Sequence, residues 1–255
     1  MKIRKFQGFE KGPLLFGHRG YSAKAPENTL PAFELLLEHS IPAVELDVQM
    51  CATGELVVFH DFTLDRVTTG TGRIADTPWE KLSKLDAGKW FDPRFTGTKI
   101  PKLLEVFTLL GDSVYYDIEL KEADIGKRRF AGKVLALIQD FGLEHHCMVS
   151  SFNPFTMRRF TALRSALPSS YIFPSPPAVP PFFRNLWGRR FSRSIDVLKP
   201  NFAAITEKIL KGPGKQAPIL TWTVDDPNLA TELLQKGIQG IISNDPLKIQ
   251  PAFSQ

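Results

Sequence analysis

Short apolar runs of β-like composition recur along the chain, with stretches of helical periodicity between them. The strand-like runs are LLFGH (14–18), AVELDV (43–48), VYYDIEL (114–120), CMVSSF (147–152), SYIF (170–173), FAAI (202–205), PILTWTV (218–224) and GIISN (240–244). Helical patterns fall between several of them, in NTLPAFELLLEH, KRRFAGKVLALIQDFG, NPFTMRRFTALRSA and DPNLATELLQKG. Asn153-Pro154 and Asp226-Pro227 read as helix starts, because proline loses nothing at a first helical position, where its missing N–H would have no partner. Gly142 and Gly237 read as helix stops. Strands that alternate with helices must run parallel, each helix carrying the chain back over the sheet. Eight such units close most naturally into a (β/α)8 TIM barrel, an α/β fold.

One further run, ELVVFHD (55–61), does not fit as a ninth unit. Only Met50 to Gly54 separates it from the second strand, and a parallel crossover needs a dozen or more residues. Residues 47–60 are therefore expected as a hairpin turning at Thr53-Gly54, whose return strand brings His60 to the barrel mouth. The connection that follows, 62–112, is too long for a plain loop. The expected organisation is a single domain over 1–255 with a small inserted subdomain at about 62–112. A length of 255 residues suits one such barrel.

Composition narrows the setting. The chain is 43% apolar and 23% charged, as in water-soluble globular proteins rather than fibrous or disordered ones. Its formal net charge of +5 permits anionic partners but reads first as a mildly basic surface. Nothing resembles a nucleic-acid-binding motif, so no nucleic-acid partner is expected. Cys51 and Cys147 lie beside β-like runs and form neither a disulfide framework nor a zinc pattern. There is no apolar stretch long enough to span a bilayer, and MKIRKFQGFEKGP lacks the apolar core of a secretory signal. A cytoplasmic location is expected.

The strand ends carry the chemistry. His18 and Arg19 end the first strand. Glu45 and Asp47 are two apart, so both point to one face of the second. Glu119 and Lys121 are likewise two apart at the end of the next strand, and His60 and Asp61 end the hairpin. In a barrel all these ends meet at one face, where the active site lies. Three carboxylates that close repel unless a cation sits among them, and an oxygen-only set suits Mg2+ or Ca2+ better than zinc.

Taken in order, GHRGYSAKAPENTLPAF, VELDV, GELVVFHDFTLDRVTTGTG, LDAGKWF, IPKLLEVF, DIELK, SSF, LTWTVDD and GIISNDP resemble the glycerophosphodiester phosphodiesterase family over nearly the whole chain. The resemblance implies a barrel with a small insertion, one divalent cation, and hydrolysis of a small-molecule glycerophosphodiester to glycerol 3-phosphate and an alcohol. Carried over residue by residue, Glu45, Asp47 and Glu119 resemble the metal ligands, and His18 and His60 the general acid and base. Arg19 and Lys121 resemble the phosphate and substrate contacts, and Trp222 the aromatic residue lining the glycerol side. Glu27 and Asn28 are expected to orient the first loop, with helix capping as an alternative reading for Asn28. Water and the substrate's own 2-hydroxyl both remain as candidate nucleophiles.

Two places depart from the family's usual pattern. CATGEL lacks the usual aspartate before glycine, and SNDP stands where threonine is more usual; neither is expected to touch the site. The segment 173–194 holds five prolines followed by Phe182, Phe183, Trp187 and Phe191 among arginines. It reads either as a lid on the catalytic face or as a peripheral contact with an anionic membrane. The second reading would make the enzyme a lysophospholipase D. A silent binding barrel is the remaining alternative, and the presence of every site residue weighs against it. The oligomeric state is left open.

Overall fold

A computed structural model of the protein describes residues 4–122, 129–163, 165–173 and 195–254. The segment 174–194, with its lid and membrane readings, lies outside the described residues. The strands are β1 (Leu14–His18), β2 (Ala43–Met50), β3 (Leu56–Val58), β4 (Tyr115–Leu120), β5 (Cys147–Ser151), β6 (Ser169–Phe173), β7 (Val197–Pro200), β8 (Leu220–Thr221) and β9 (Gly240–Ser243). The helices are α1 (Leu30–Glu38), α2 (Trp79–Leu82), α3 (Leu103–Leu110), α4 (Phe130–Asp140), α5 (Pro154–Ala162), α6 (Glu207–Lys211), α7 (Pro227–Gln235) and α8 (Pro246–Ile249).

The strands pair in the order β7-β6-β5-β4-β2-β1-β9-β8, all parallel. Parallel bridges Leu198↔Ile219 and Asn201↔Trp222 join β8 back to β7 and close the barrel. β3 stands apart as the antiparallel partner of β2. The hairpin between them turns through Gly54, at φ +95°, a left-handed conformation that glycine adopts without a Cβ clash.

The helix starts are built as their sequences dictate. The Asn153 side chain accepts from the N–H groups of Phe155 and Thr156, and Asp226 accepts from Leu229. Gly142 and Gly237 follow α4 and α7 at φ +66° and +84°.

One strand differs from expectation. FAAI forms a 3-10 turn, Phe202–Ala204, and the strand is instead VLKP, Val197–Pro200. Lys199 and Pro200 interrupt the apolar pattern that marks a buried strand. Lys199 is nonetheless only 2% exposed, because carboxylates inside the barrel pair with it.

Side chains of alternate strand residues fill the barrel. Phe16, Ala43, Met148, Val197, Leu220 and Ile242 pack with Phe6 and Leu14 into an apolar plug at the N-terminal end. One pleat higher the inward positions turn polar, at His18, Glu45, Asp117 and Lys199. The outward residues of the strands bury against the helices in the larger core, which includes Leu103, Val106, Phe107 and Leu110 of α3. A separate cluster, with Val57, Phe59, Leu64, Val67, Ile74, Leu82 and Ile100, lies within 51–100. Cys51 and Cys147 are both buried and free.

Candidate active site

Register places the carboxylates. Glu45 pairs with His18 on one side and Asp117 on the other, and Asp47 pairs with Glu119. Two inward layers of acid therefore stack at the C-terminal end of β2 and β4. Oxygens of Glu45, Asp47 and Glu119 all lie within 4.8 Å of one another, and all three residues are buried.

Cations face them. Lys121 Nζ lies 3.3 Å from Glu119 Oε1 and 3.8 Å from Asp47 Oδ1. Arg19 Nε lies 3.4 Å from Asp47 Oδ2. Lys199 Nζ lies 2.6 Å from Asp117 Oδ2 and 3.4 Å from Glu45 Oε1. These three cations face four carboxyl groups, and the electrostatics of the site follow. Burial, reinforced by the nearby Asp47 charge, pushes the Glu119 carboxyl up to about 7. Burial opposes the Asp47 charge too, but Lys121 and then Arg19 outweigh it and hold that carboxyl well below the usual range. Lys199, buried, is held cationic first by Asp117 and then by Glu45.

The triad fits a hard divalent cation. Glu45 Oε2 and Asp47 Oδ1 are buried with no hydrogen-bond partner, which is costly for an anionic oxygen unless a cation takes its place. The donors are all oxygen, as Mg2+ and Ca2+ prefer.

The loop after β1 is folded to aim Arg19. Arg19 itself is at φ +57°, and its carbonyl accepts from the Asn28 N–H. Gly20, at φ +87°, passes so close to α1 that a Cβ would lie 2.8 Å from the Ala32 carbonyl. The returning PENT segment then serves the site. Glu27 Oε1 accepts from Arg19 Nη1 at 2.8 Å, and Asn28 Nδ2 donates to Asp47 Oδ2 at 2.8 Å. Asn28 does not cap α1. Thr29 occupies the cap position, and the Asn28 amide is committed to Asp47 instead.

Both histidines are fixed through Nδ1. His18 Nδ1 lies 2.6 Å from Asn244 Oδ1, and Asn244 Nδ2 donates to Asp225 Oδ2 at 2.8 Å. That second bond sets the amide so that its oxygen faces the ring, making His18 Nδ1 the donor. His18 Nε2 is left 3.9 Å from Glu45 Oε2. Burial lowers the His18 pKa, although Glu45 works the other way. SNDP thus does touch the site: Asn244 lies far from His18 in sequence, and only closure of β9 onto β1 brings them together.

His60 Nδ1 lies 2.6 Å from Asp61 Oδ1. Arg66 holds Asp61 from the other side, with Nε donating to Oδ2 at 2.6 Å. The same guanidinium reaches Glu27 through Nη2 at 2.6 Å, so it ties the His60 support to the Arg19 support. Trp222 is half-buried, with Nε1 donating to the Lys199 carbonyl at 3.1 Å and its ring edge-on to Phe152.

All eight candidate residues from the sequence thus stand towards the C-terminal end of the barrel, Glu45 and Asp47 within β2, His18 and Glu119 near the ends of β1 and β4, and Arg19, His60, Lys121 and Trp222 just beyond strands. Asp117, Lys199, Arg66, Asn244 and Asp225 went unnoticed in the sequence. Asp117 carried a legible signal, as it extends the acidic alternation of DIELK by one inward position. Lys199, Asn244 and Asp225 lie far along the chain from the groups that they serve and carry none, whereas Arg66 is five residues from Asp61.

The sequence model of the glycerophosphoryl diester phosphodiesterase family matches residues 18–248. A glycerophosphodiester phosphodiesterase of Caldanaerobacter subterraneus subsp. tengcongensis is 33% identical over 91% of this chain and 94% of its own. A solved Oleispira antarctica phosphodiesterase, in complex with the product sn-glycerol-3-phosphate, superposes with TM-score 0.86 at 28% identity, over 97% of this chain and 99% of that one. The Thermotoga maritima glycerophosphodiester phosphodiesterase superposes with TM-score 0.74 at 26% identity, over 95% and 98%. With the match running from His18 to beyond β9, the chain belongs to the glycerophosphoryl diester phosphodiesterase family.

Proposed function

We propose that the protein hydrolyses glycerophosphodiesters to glycerol 3-phosphate and an alcohol, with one divalent cation, Mg2+ or Ca2+, held by Glu45, Asp47 and Glu119. The observation that carries the reading is the buried triad with its two unpartnered oxygens, set 3.9 Å from His18 Nε2 at the nearest. When bound, the cation supplies Lewis-acid stabilisation of charge on the phosphate oxygens.

Arg19 and Lys121 bind the phosphate and offset the charge that builds on it during attack. Trp222 and Phe152 offer an apolar wall to the glycerol carbons. His18, kept neutral by burial, takes the proton of the nucleophile at Nε2. His60 gives a proton to the leaving alkoxide, which cannot depart readily as a bare anion at neutral pH. The Asp61 carboxylate at Nδ1 compensates the charge of that protonated ring. Within the expected insertion at about 62–112, the separate cluster supports 62–100 as the inserted part, with Phe59 and Leu64 packing on either side of the His60-Asp61 turn, while α3 packs on the barrel.

The test is release of glycerol 3-phosphate from glycerophosphocholine. Turnover by the wild type that falls about a hundredfold or more in His18→Ala supports the reading. Folded wild type without turnover on any glycerophosphodiester contradicts it.

A further inference from the structure

The lysine on β7 lies beneath the carboxylates and belongs to no part of the reaction described above. Lys199 Nζ is shared unequally, at 2.6 Å from Asp117 Oδ2 but 3.4 Å from Glu45 Oε1, with Ser150 Oγ also at 3.4 Å. All four side chains are buried, with Asp117 at 0% exposure. Without Asp117, the ammonium would have a single carboxylate partner, Glu45, and would close on it. A Glu45 so paired would have less charge to offer a divalent cation, and that cation would meet a fixed positive charge beside its ligand.

We infer that Asp117 is a positioning residue that draws Lys199 to itself and so leaves the Glu45 carboxylate available to the cation. The pair lets three carboxylates gather in a buried place, yet does not neutralise them. This inference rests on the triad being the cation site.

The experiment is a titration of purified protein with Mg2+ and with Ca2+ in a calorimeter, with the melting temperature measured alongside. In Asp117→Asn the cation Kd rises by about tenfold or more, the order expected for a close buried charge pair. Adding Lys199→Met to that variant removes the unbalanced lysine and brings the Kd back to the wild-type value or below it. The double variant also covers the case in which Asp117→Asn does not fold, because replacing a buried pair as a unit is tolerated far better than orphaning one member. A pair that merely supports the barrel would change the melting temperature and leave Kd unmoved. Wild-type Kd in Asp117→Asn, or a weakened Kd in the double variant, overturns the inference while the triad reading stands. A wild type that binds neither cation overturns both.

Discussion

Asp61 Oδ1 accepts a hydrogen bond from His60 Nδ1 at 2.6 Å, while Arg66 holds its second oxygen. His18 has an amide oxygen, that of Asn244, in the same position. The two histidines are therefore oriented alike, both leaving Nε2 towards the site, but only His60 has a carboxylate at its Nδ1. This asymmetry supports the proposed assignment of His60 as proton donor and His18 as proton acceptor.

A donor is needed only when the leaving group is a poor one. His60→Ala should lose about a hundredfold or more in kcat on glycerophosphocholine, and far less on a glycerophospho-p-nitrophenol diester, whose leaving group departs unaided. His18→Ala should lose similarly on both. Equal losses for His60→Ala on the two substrates would contradict the assignment.

Asp61 also contributes to stability in a defined pH window. Against burial, its hydrogen bonds with Arg66 and His60 lower the carboxyl from 3.8 to about 2. The folded protein then binds fewer protons than the unfolded chain between those values, so the contribution is complete above 3.8 and fades as pH falls through about 2. Asp61→Asn should be less stable than wild type at pH ~5, with the gap closing towards pH ~2. Urea melts across that range read the gap directly, and a constant gap would count against the ion pair.

Arg66 touches no proposed reacting group, yet it supports His60 through Asp61 and Arg19 through Glu27. Arg66→Ala should lower kcat about ten- to a hundredfold, as loss of an orienting partner commonly does. Arg66→Lys should recover part of the loss. The Tm should move little, since the guanidinium is half-exposed. A variant with unchanged kcat would show that the bridge does not orient the site.

Away from the site, the Asp226 carboxylate accepts from the Leu229 N–H at 2.9 Å and closes the start of α7. Asp226→Ala should cost about 1 kcal/mol of stability and leave turnover unchanged. Chemical denaturation and the glycerol 3-phosphate assay check the two halves separately.

Much of this was legible in the sequence because it rests on local rules. Alternation placed Glu45 and Asp47 on one face of β2, and proline after Asn153 and Asp226 marked two helix starts. The short gap at Gly54 forced a hairpin. What was not legible depends on closure of the barrel. Lys199 reads as a surface residue and disguises its strand, until Asp117 and Glu45, far away in the chain, are seen to bury it. Asn244 meets His18 only because β9 docks on β1. Asn28 looks like a helix cap in one dimension and is an Asp47 partner in three.

The most direct test of the central claim joins the triad to the chemistry. Chelator-treated wild type should release little glycerol 3-phosphate from glycerophosphocholine and should recover when Mg2+ or Ca2+ is returned, whereas Glu119→Gln should stay near the depleted rate at the same cation concentration. Full turnover in the chelated wild type, or full recovery in Glu119→Gln, would contradict it.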